Sequence, residues 1–169
     1  GTGYASVDYQ EWGAIAVVVF FFIGLIGGCA GSTACSIKIF RYQLLMASIS
    51  TQLRRLYAPH GIFEPRYEGR KVSEEVLSSV MAFFVMFFVS LGIVSMLLAL
   101  TGLDFVTSVS GAATALANIG PGLGSEIGPA GSFTNLNDTA KWILTVAMLV
   151  GRLELMAVLV RFTTQFWRG

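Results

Sequence analysis

The chain of 169 residues is strongly apolar and nearly neutral: 54% of its residues are hydrophobic, 12% are charged and its formal net charge is +1. A soluble domain carries about a quarter charged residues, and it could not cover so much apolar surface. No basic tract has the pattern of a groove-binding segment. The composition therefore indicates an integral membrane protein of the lipid bilayer and argues against a soluble enzyme or a nucleic-acid-binding protein.

Metal and disulfide chemistry have few side chains to draw on. The cysteines are Cys29 and Cys35, both among apolar or small residues, and the single histidine is His60. These ligands are too few for a closed zinc site, and a disulfide framework is not expected. The N-terminus lacks the basic segment and the cleavage site of a signal peptide.

The first stretch of the chain has the form of an ion filter. Thr2-Gly3-Tyr4 matches part of the Thr-Val-Gly-Tyr-Gly segment whose backbone carbonyls replace the hydration shell of potassium. A tripeptide of this kind occurs by chance in many proteins. Its position directly before a long apolar run makes it a candidate.

Three apolar runs reach the roughly 20 residues that a membrane-spanning helix needs. They cover residues 12–37, 76–100 and 142–160. Basic residues concentrate between the first two runs and after the third, whereas residues 101–140 have none. By the positive-inside rule, residues 38–75 and the C-terminus are cytoplasmic, and residues 1–11 and 101–141 face outward.

The first run contains a string of small residues, 27-GGCAGSTACS-36, which has two interpretations. Gly24 and Gly28 have the small-xxx-small spacing of closely packed membrane helices. Alternatively, adjacent Gly27 and Gly28 lower helix propensity and interrupt the helix, for which this long run has residues to spare.

The cytoplasmic stretch is predicted to be partly helical. Residues 37–57 are expected to form a helix, and turn signals within 62-IFEPRYEGRKV-72 predict a short hairpin. Ser73 is expected to cap the helix that becomes the second span. The charges of this stretch are typical of a solvated face.

Residues 104–117 predict a half-helix that enters the membrane without crossing it. At 1.5 Å per residue they reach about 20 Å, which is too short to span. The third span begins outside, so 118-NIGPGLG-124 must return outward.

Non-helical backbone at this depth persists only when it is buried in protein or lines water. The C-terminal end of the half-helix favours a cation, and the carbonyls of the returning strand can replace its water. Residues 118–122 are therefore predicted to form one wall of a cation filter, the alternative being an ordinary extracellular loop.

Arg152 lies within the third run, midway between Lys141 and Arg161, and so near the centre of the bilayer. A charge there is costly unless it faces protein or water. Glu154 is a poor intrahelical partner because side chains two residues apart diverge around a helix. Two interpretations remain: a structural ion pair with another helix, or an arginine that faces an ion pathway.

Two functions other than transport account for these features less well. A membrane-embedded hydrolase that used Ser32 or a cysteine would need a base, and the only histidine is cytoplasmic, so no enzyme activity is expected. A non-conducting scaffold of packed helices explains the spacing of the small residues. It explains neither Arg152 nor the two filter-like segments.

Five motifs together resemble one known family. They are, in chain order, GTGYASVDYQEWG, IGGCAGSTACSIKIFR, YEGRKVSEEV, ANIGPGLG and MLVGRLELMAVLV. On these motifs the chain resembles the C-terminal part of a TrkH-type subunit, in the superfamily of Trk, Ktr and HKT potassium and sodium transporters.

The resemblance implies an all-α membrane protein with four membrane-pore-membrane repeats around one pathway. Residues 1–75 would hold the filter, broken inner helix and cytoplasmic hairpin of the third repeat, and residues 76–169 the fourth repeat. The first two repeats would then belong to the rest of the same polypeptide.

The resemblance also implies a function, K⁺ uptake across the bacterial inner membrane by a symporter or channel, and a set of filter residues. These residues are Thr2, Gly3, Tyr4, Asn118, Ile119, Gly120 and Pro121. A K⁺ ion would be bound by the backbone carbonyls of Thr2, Gly3, Ile119 and Gly120, with no covalent cofactor. Asn118 and Pro121 replace the threonine and the aromatic residue that are usual in the family, and Gly1 also replaces a threonine. This departure suggests weaker discrimination among monovalent cations.

The gate implied by the resemblance is a flexible intramembrane loop below the filter, in contact with Arg152. The loop consists of Gly27, Gly28, Cys29, Ala30, Gly31, Ser32 and Thr33. The implied partners are a second copy of the protein in a homodimer and a cytosolic nucleotide-binding ring subunit. The ring would dock on the cytoplasmic side formed by residues 38–75.

Overall fold

The structure is a computed structural model that describes residues 3–29, 36–58, 61 and 63–152. It is mostly helical, in agreement with the predicted all-α class. The helices are α1 (Ala14–Leu25), α2 (Ile39–Tyr57), α3 (Glu74–Leu100), α4 (Phe105–Ala117) and α5 (Asp138–Arg152). Two short 3-10 helices cover Tyr9–Trp12 and Phe133–Asn135. The strands β1 (Arg66–Tyr67) and β2 (Arg70–Lys71) pair antiparallel.

The first apolar run is not one continuous helix. α1 ends at Leu25 and α2 begins at Ile39, and the backbone of Ile26 is extended. The two ends of the intervening segment are paired, because Gly27 N donates to Ile37 O at 2.8 Å and Ile37 N donates to Leu25 O at 3.2 Å. The described part of this segment, 26–29 and 36–38, therefore has the interruption that the sequence offered as one of its two interpretations.

The stretch between the first two apolar runs folds as predicted into a helix and a hairpin. The hairpin turn lies at Glu68 and Gly69, both with positive φ, which matches the right-handed twist of the paired strands. Ser73 is the N-cap residue of α3, but its side chain accepts no hydrogen bond from the first turn. Glu74 and Glu75 place negative charge at this helix N-terminus, where the helix dipole favours it.

Within the described residues, α3 is the one helix long and apolar enough to cross a membrane, with 27 residues. This length corresponds to about 40 Å. The helices α1 and α4 are apolar but shorter. Large apolar side chains on α1, α3 and α5 face outward, among them Ile15, Met96 and Trp142. Such a surface is suited to lipid or to further protein rather than to water.

Helix α4 is the most deeply enclosed element of the described structure. Every residue from Ser110 to Ala117 is buried. The helix packs against α1, α3 and α5, and small side chains such as Ala112 and Ala115 let these neighbours approach it closely. A half-helix predicted between two spans therefore lies in the interior, where it can hold the segment that follows it.

Candidate ion filter and gate

The predicted filter segment begins with a sharp reversal at the end of α4. Asn118 adopts the left-handed conformation, with φ 53° and ψ 45°, which asparagine tolerates better than most residues. Its side-chain Nδ2 donates to Met148 O of α5 at 3.0 Å. Ile119 N donates to Thr114 O at 3.0 Å, so the chain turns back along the helix that it has just left.

Two hydroxyl groups of α4 hold the returning strand. Gly120 N donates to Thr114 Oγ1 at 3.0 Å, and Leu123 N donates to Ser110 Oγ at 2.9 Å. Ser110 Oγ in turn lies 3.1 Å from Leu123 O. Thr114 and Ser110 are both buried, and the bond from Leu123 N is buried too, whereas that from Gly120 N is part-buried. These two residues were not predicted, although their i,i+4 spacing places them on one face of the half-helix.

The loop that follows the returning strand is well packed. Gly122 N donates to Ile127 O at 2.7 Å, and Ile127 is only 1% exposed. The Ile127 side chain fills the space next to Gly122 and Gly111, where a Cβ atom on Gly122 would overlap it. An extracellular loop with ordinary turn chemistry would not bury Gly122, Leu123 and Ile127 in this way.

The filter segment at Gly3 lies directly against the filter segment at Gly120. Gly3 has φ +74°, and a Cβ atom built on it would collide with the carbonyl oxygen of Ile119 and lie 3.3 Å from Pro121 Cδ. A Cβ atom on Gly120 would lie 3.9 Å from Gly3 Cα. The two glycines singled out from the sequence are therefore neighbours in space, and both have the positive φ that glycine adopts most readily. The next residue, Tyr4, has its side chain exposed.

A cavity of about 380 Å³ lies beside the two segments. It is lined by backbone at Gly3 and Gly122, by the hydroxyl-bearing Ser110 and Thr114, and by aromatic side chains including Tyr9. Burial raises the pKa of the Tyr9 phenol above its usual value, with a smaller contribution from Asp8. The phenol therefore stays neutral at physiological pH and adds no charge beside the filter segments.

Among the ranges that the structure describes, no group of three or more His, Cys, Asp or Glu side chains is placed to hold a metal ion. A backbone oxygen, that of Ile119, lies at the contact of the two segments. Such neutral oxygens suit an alkali cation that exchanges its hydration shell for carbonyl groups.

The predicted gate segment is attached to the end of α4 through Ser36. Ser36 has φ 68°, and its Oγ lies 3.1 Å from Gly24 O and 3.1 Å from Ala117 O. Its single hydroxyl proton can be donated to one of these carbonyls at a time. Of the predicted gate residues, Gly27, Gly28 and Cys29 are described, with Cys29 exposed. The remaining gate residues, Ala30, Gly31, Ser32 and Thr33, lie outside the described residues, as do Thr2 of the filter and Glu154.

Arg152 follows a residue that packs on the last turn of α4. This residue, Gly151, lies so close to α4 that a Cβ atom on it would collide with Leu116 O. Arg152 itself is exposed and takes part in at least one hydrogen bond, ion pair, ring or electrostatic contact. The contact of Gly151 and the hydrogen bond between Ser36 and Ala117 O both fall at the C-terminal end of α4.

The chain is similar to potassium uptake proteins along its whole length. A sequence profile of the family TrkH, described as a cation transport protein, matches residues 1–168. The Trk system potassium uptake protein TrkI of Halomonas elongata is 51% identical over 167 residues, which are 99% of this chain and 34% of that protein. The Trk system potassium uptake protein TrkH of Vibrio parahaemolyticus is 35% identical over 167 residues, with coverage of 99% and 34%.

A solved structure gives the same result for the fold. The crystal structure of the potassium transporter TrkH from Vibrio parahaemolyticus superposes with a TM-score of 0.89 at 34% identity, covering 98% of this chain and 35% of that one. The chain thus spans about a third of the length of the relatives that it matches. The resemblance inferred from five motifs is confirmed, and the chain belongs to the TrkH family of cation transport proteins.

Proposed function

We propose that this chain forms two walls and part of the gate of a pore through which K⁺ crosses the bacterial inner membrane into the cell. The observation that carries the proposal is the contact between the segments at Gly3 and Gly120, at the C-terminal end of a buried half-helix. Two backbone segments with glycines of positive φ, side by side next to a helix dipole, suit the coordination of a dehydrated cation.

The proposed ligands are the backbone carbonyls of Thr2, Gly3, Ile119 and Gly120. Support comes from the amides of the second segment, because Gly120 N and Leu123 N are already bonded to hydroxyl groups of α4. A strand whose amides are fixed on one side is held in a single orientation, so its carbonyls need little reorganisation when an ion arrives. The remaining walls would come from the first two repeats of the longer polypeptide.

The proposed gate combines the segment that contains Gly27–Thr33 with Arg152. Support comes from two contacts at the C-terminal end of α4: Ser36 Oγ lies 3.1 Å from Ala117 O, and Gly151, next to Arg152, packs on Leu116. The positive charge of Arg152 would repel a cation until the arginine moves or is screened.

Regulation and assembly follow from the same proposal. We expect a homodimer in the inner membrane, with the face formed by α2 and the hairpin in the cytoplasm. The exposed basic residues of this face, such as Arg54, Arg66 and Arg70, offer contacts for a cytosolic nucleotide-binding ring subunit.

The test is rubidium uptake by the full-length gene product in a bacterial strain that lacks its own potassium uptake systems. Wild type should restore uptake, and Arg152→Gln should raise the leak that is measured without the ring subunit. Lys141→Gln is the matched control, because it removes the same charge from the outer end of α5, where Lys141 pairs with exposed Asp138 at 3.3 Å. A wild-type protein that inserts into the membrane but moves no rubidium would instead favour a non-conducting scaffold.

A further inference from the structure

The side-chain amide of Gln10 joins the two candidate filter segments outside the filter itself. Gln10 Oε1 accepts a hydrogen bond from Gly124 N at 2.7 Å, and Gln10 Nε2 donates to Gly124 O at 3.3 Å. Gln10 lies in the 3-10 helix that follows the Gly3 segment, and Gly124 follows the Gly120 segment. One side chain therefore connects the two segments by a pair of hydrogen bonds, which we call the Gln10 clamp.

Glycines around the clamp make room for the amide. Gly124 has φ +102°, and a Cβ atom on it would lie 2.7 Å from Oγ1 of the buried Thr107. A Cβ atom on Gly128 would collide with Gln10 Nε2 and would lie 2.5 Å from Gly124 O. The glycine-rich composition of residues 118–131 thus has two origins, the filter at Gly120 and the clamp at Gly124 and Gly128.

The near end of the clamp is fixed within its own 3-10 helix by local hydrogen bonds. Gln10 N donates to Asp8 Oδ1 at 3.0 Å, and Gln10 O accepts from Gly13 N at 3.4 Å. The backbone of Gln10 therefore keeps a set position in the helix that follows the Gly3 segment. Any movement of this helix away from the Gly120 segment would have to break the clamp or carry Gly124 with it.

Two contacts together determine how far apart the segments can lie. The contact of Gly3 with Ile119 and Pro121 limits their closest approach, since even one added Cβ atom would overlap Ile119 O. The Gln10 clamp limits their separation in the opposite direction. A site that selects between cations by the number and spacing of its oxygens is sensitive to this separation.

We propose that Gln10 is a positioning residue that sets the spacing of the two filter walls and thereby the preference of the pore for K⁺ over Na⁺. This inference rests on the proposed function. It adds a selectivity determinant that does not touch the ion and that acts through the backbone of Gly124.

The experiment measures initial uptake of rubidium and of radioactive sodium by the full-length protein at matched membrane expression. Gln10→Ala removes both hydrogen bonds, and Gln10→Asn keeps the amide but shortens its reach by one methylene. Because a neutral hydrogen bond contributes about 1 kcal/mol, we expect the ratio of rubidium to sodium uptake to fall about three- to ten-fold in both variants. Gln10→Glu, which turns an oxygen toward Gly124 O, should lower the ratio at least as much.

Asn135→Asp is the control for the added charge, because Asn135 is exposed and takes no part in the clamp. Its uptake ratio should equal that of wild type. A variant that only folds less well would lower both uptake rates in proportion and leave their ratio unchanged. An unchanged ratio in Gln10→Asn and Gln10→Glu, with wild-type uptake intact, would overturn the positioning role. Failure of wild type to transport either ion would instead overturn the proposed function, and the role of Gln10 with it.

Discussion

The two candidate filter segments are held in different ways. The segment at Gly120 is bonded from behind to Thr114 and Ser110 of its own half-helix. The segment at Gly3 has described contacts with Ile119 and Pro121 of the facing segment, and Tyr4 beside it is 96% exposed. Within the described residues, the candidate wall at Gly120 is therefore held by the helix behind it, whereas the candidate wall at Gly3 is held by contact with the facing segment.

The strongest test of this comparison substitutes the two glycines. Gly3→Ala would place a Cβ atom on Ile119 O, whereas Gly120→Ala meets the backbone strain of φ +114° and, among the described residues, no atom closer than 3.9 Å. Strain of this kind costs about 1–3 kcal/mol. We expect both variants to lose most rubidium uptake, with the larger loss in Gly3→Ala.

Gly92→Ala serves as the control for these variants, because Gly92 is exposed in the middle of α3 and a Cβ atom there meets nothing within 4 Å. It should transport like wild type. Equal or greater loss in Gly120→Ala would show that the contact between the segments is less restrictive than its geometry indicates.

A smaller effect is expected when a hydrogen bond between α4 and the Gly120 segment is removed. Thr114→Val keeps the size of the side chain but leaves the part-buried Gly120 N without its acceptor, and a neutral hydrogen bond contributes about 1 kcal/mol. The ratio of rubidium to sodium uptake should fall about five-fold. Thr145→Val is the matched control, since the exposed Thr145 hydroxyl donates to Lys141 O of its own helix. A ratio that stays at the wild-type value in Thr114→Val would mean that the half-helix does not hold the filter wall through this bond.

The smallest effect concerns the turn at Asn118. Asn118→Gly keeps the left-handed conformation but loses the hydrogen bond to Met148 O, while Asn118→Ala also meets the cost of that conformation, about 1 kcal/mol. Thermal unfolding of the purified full-length protein should therefore rank wild type above Asn118→Gly, and Asn118→Gly above Asn118→Ala. The reverse order of the two variants would show that the side-chain bond, rather than the backbone angle, is what the position requires.

Local patterns in the sequence predicted most of the fold. The half-helix expected over 104–117 is observed as Phe105–Ala117, and the turn signal at Glu68-Gly69 marks the observed hairpin. These features depend on residues near one another in the chain, through hydrophobic runs and turn chemistry. The interruption after Leu25 was one of two interpretations, because adjacent glycines suit a helix break and close helix packing equally well.

The long-range hydrogen bonds of the site could not be predicted in this way. Gln10 and Gly124 are far apart in the chain, and nothing in the type or spacing of either residue indicates the other. The role of Thr114 was weakly indicated, because this residue lies four residues after Ser110 on a helix that leads into the candidate filter. The roles assigned to the gate loop and to Arg152 stay predictions, because much of that loop lies outside the described residues.

The paired ends of the segment between α1 and α2 have a consequence for how the protein can vary. Leu25 and Gly27 are hydrogen-bonded to Ile37, so the chain leaves and rejoins the helical path at almost the same point. Residues inserted or deleted between these bonds would lengthen or shorten the excursion without shifting either helix along its axis. A change of conformation between these bonds would in the same way leave α1 and α2 in place, so movement of the proposed gate would not disturb the register of the frame around the pathway.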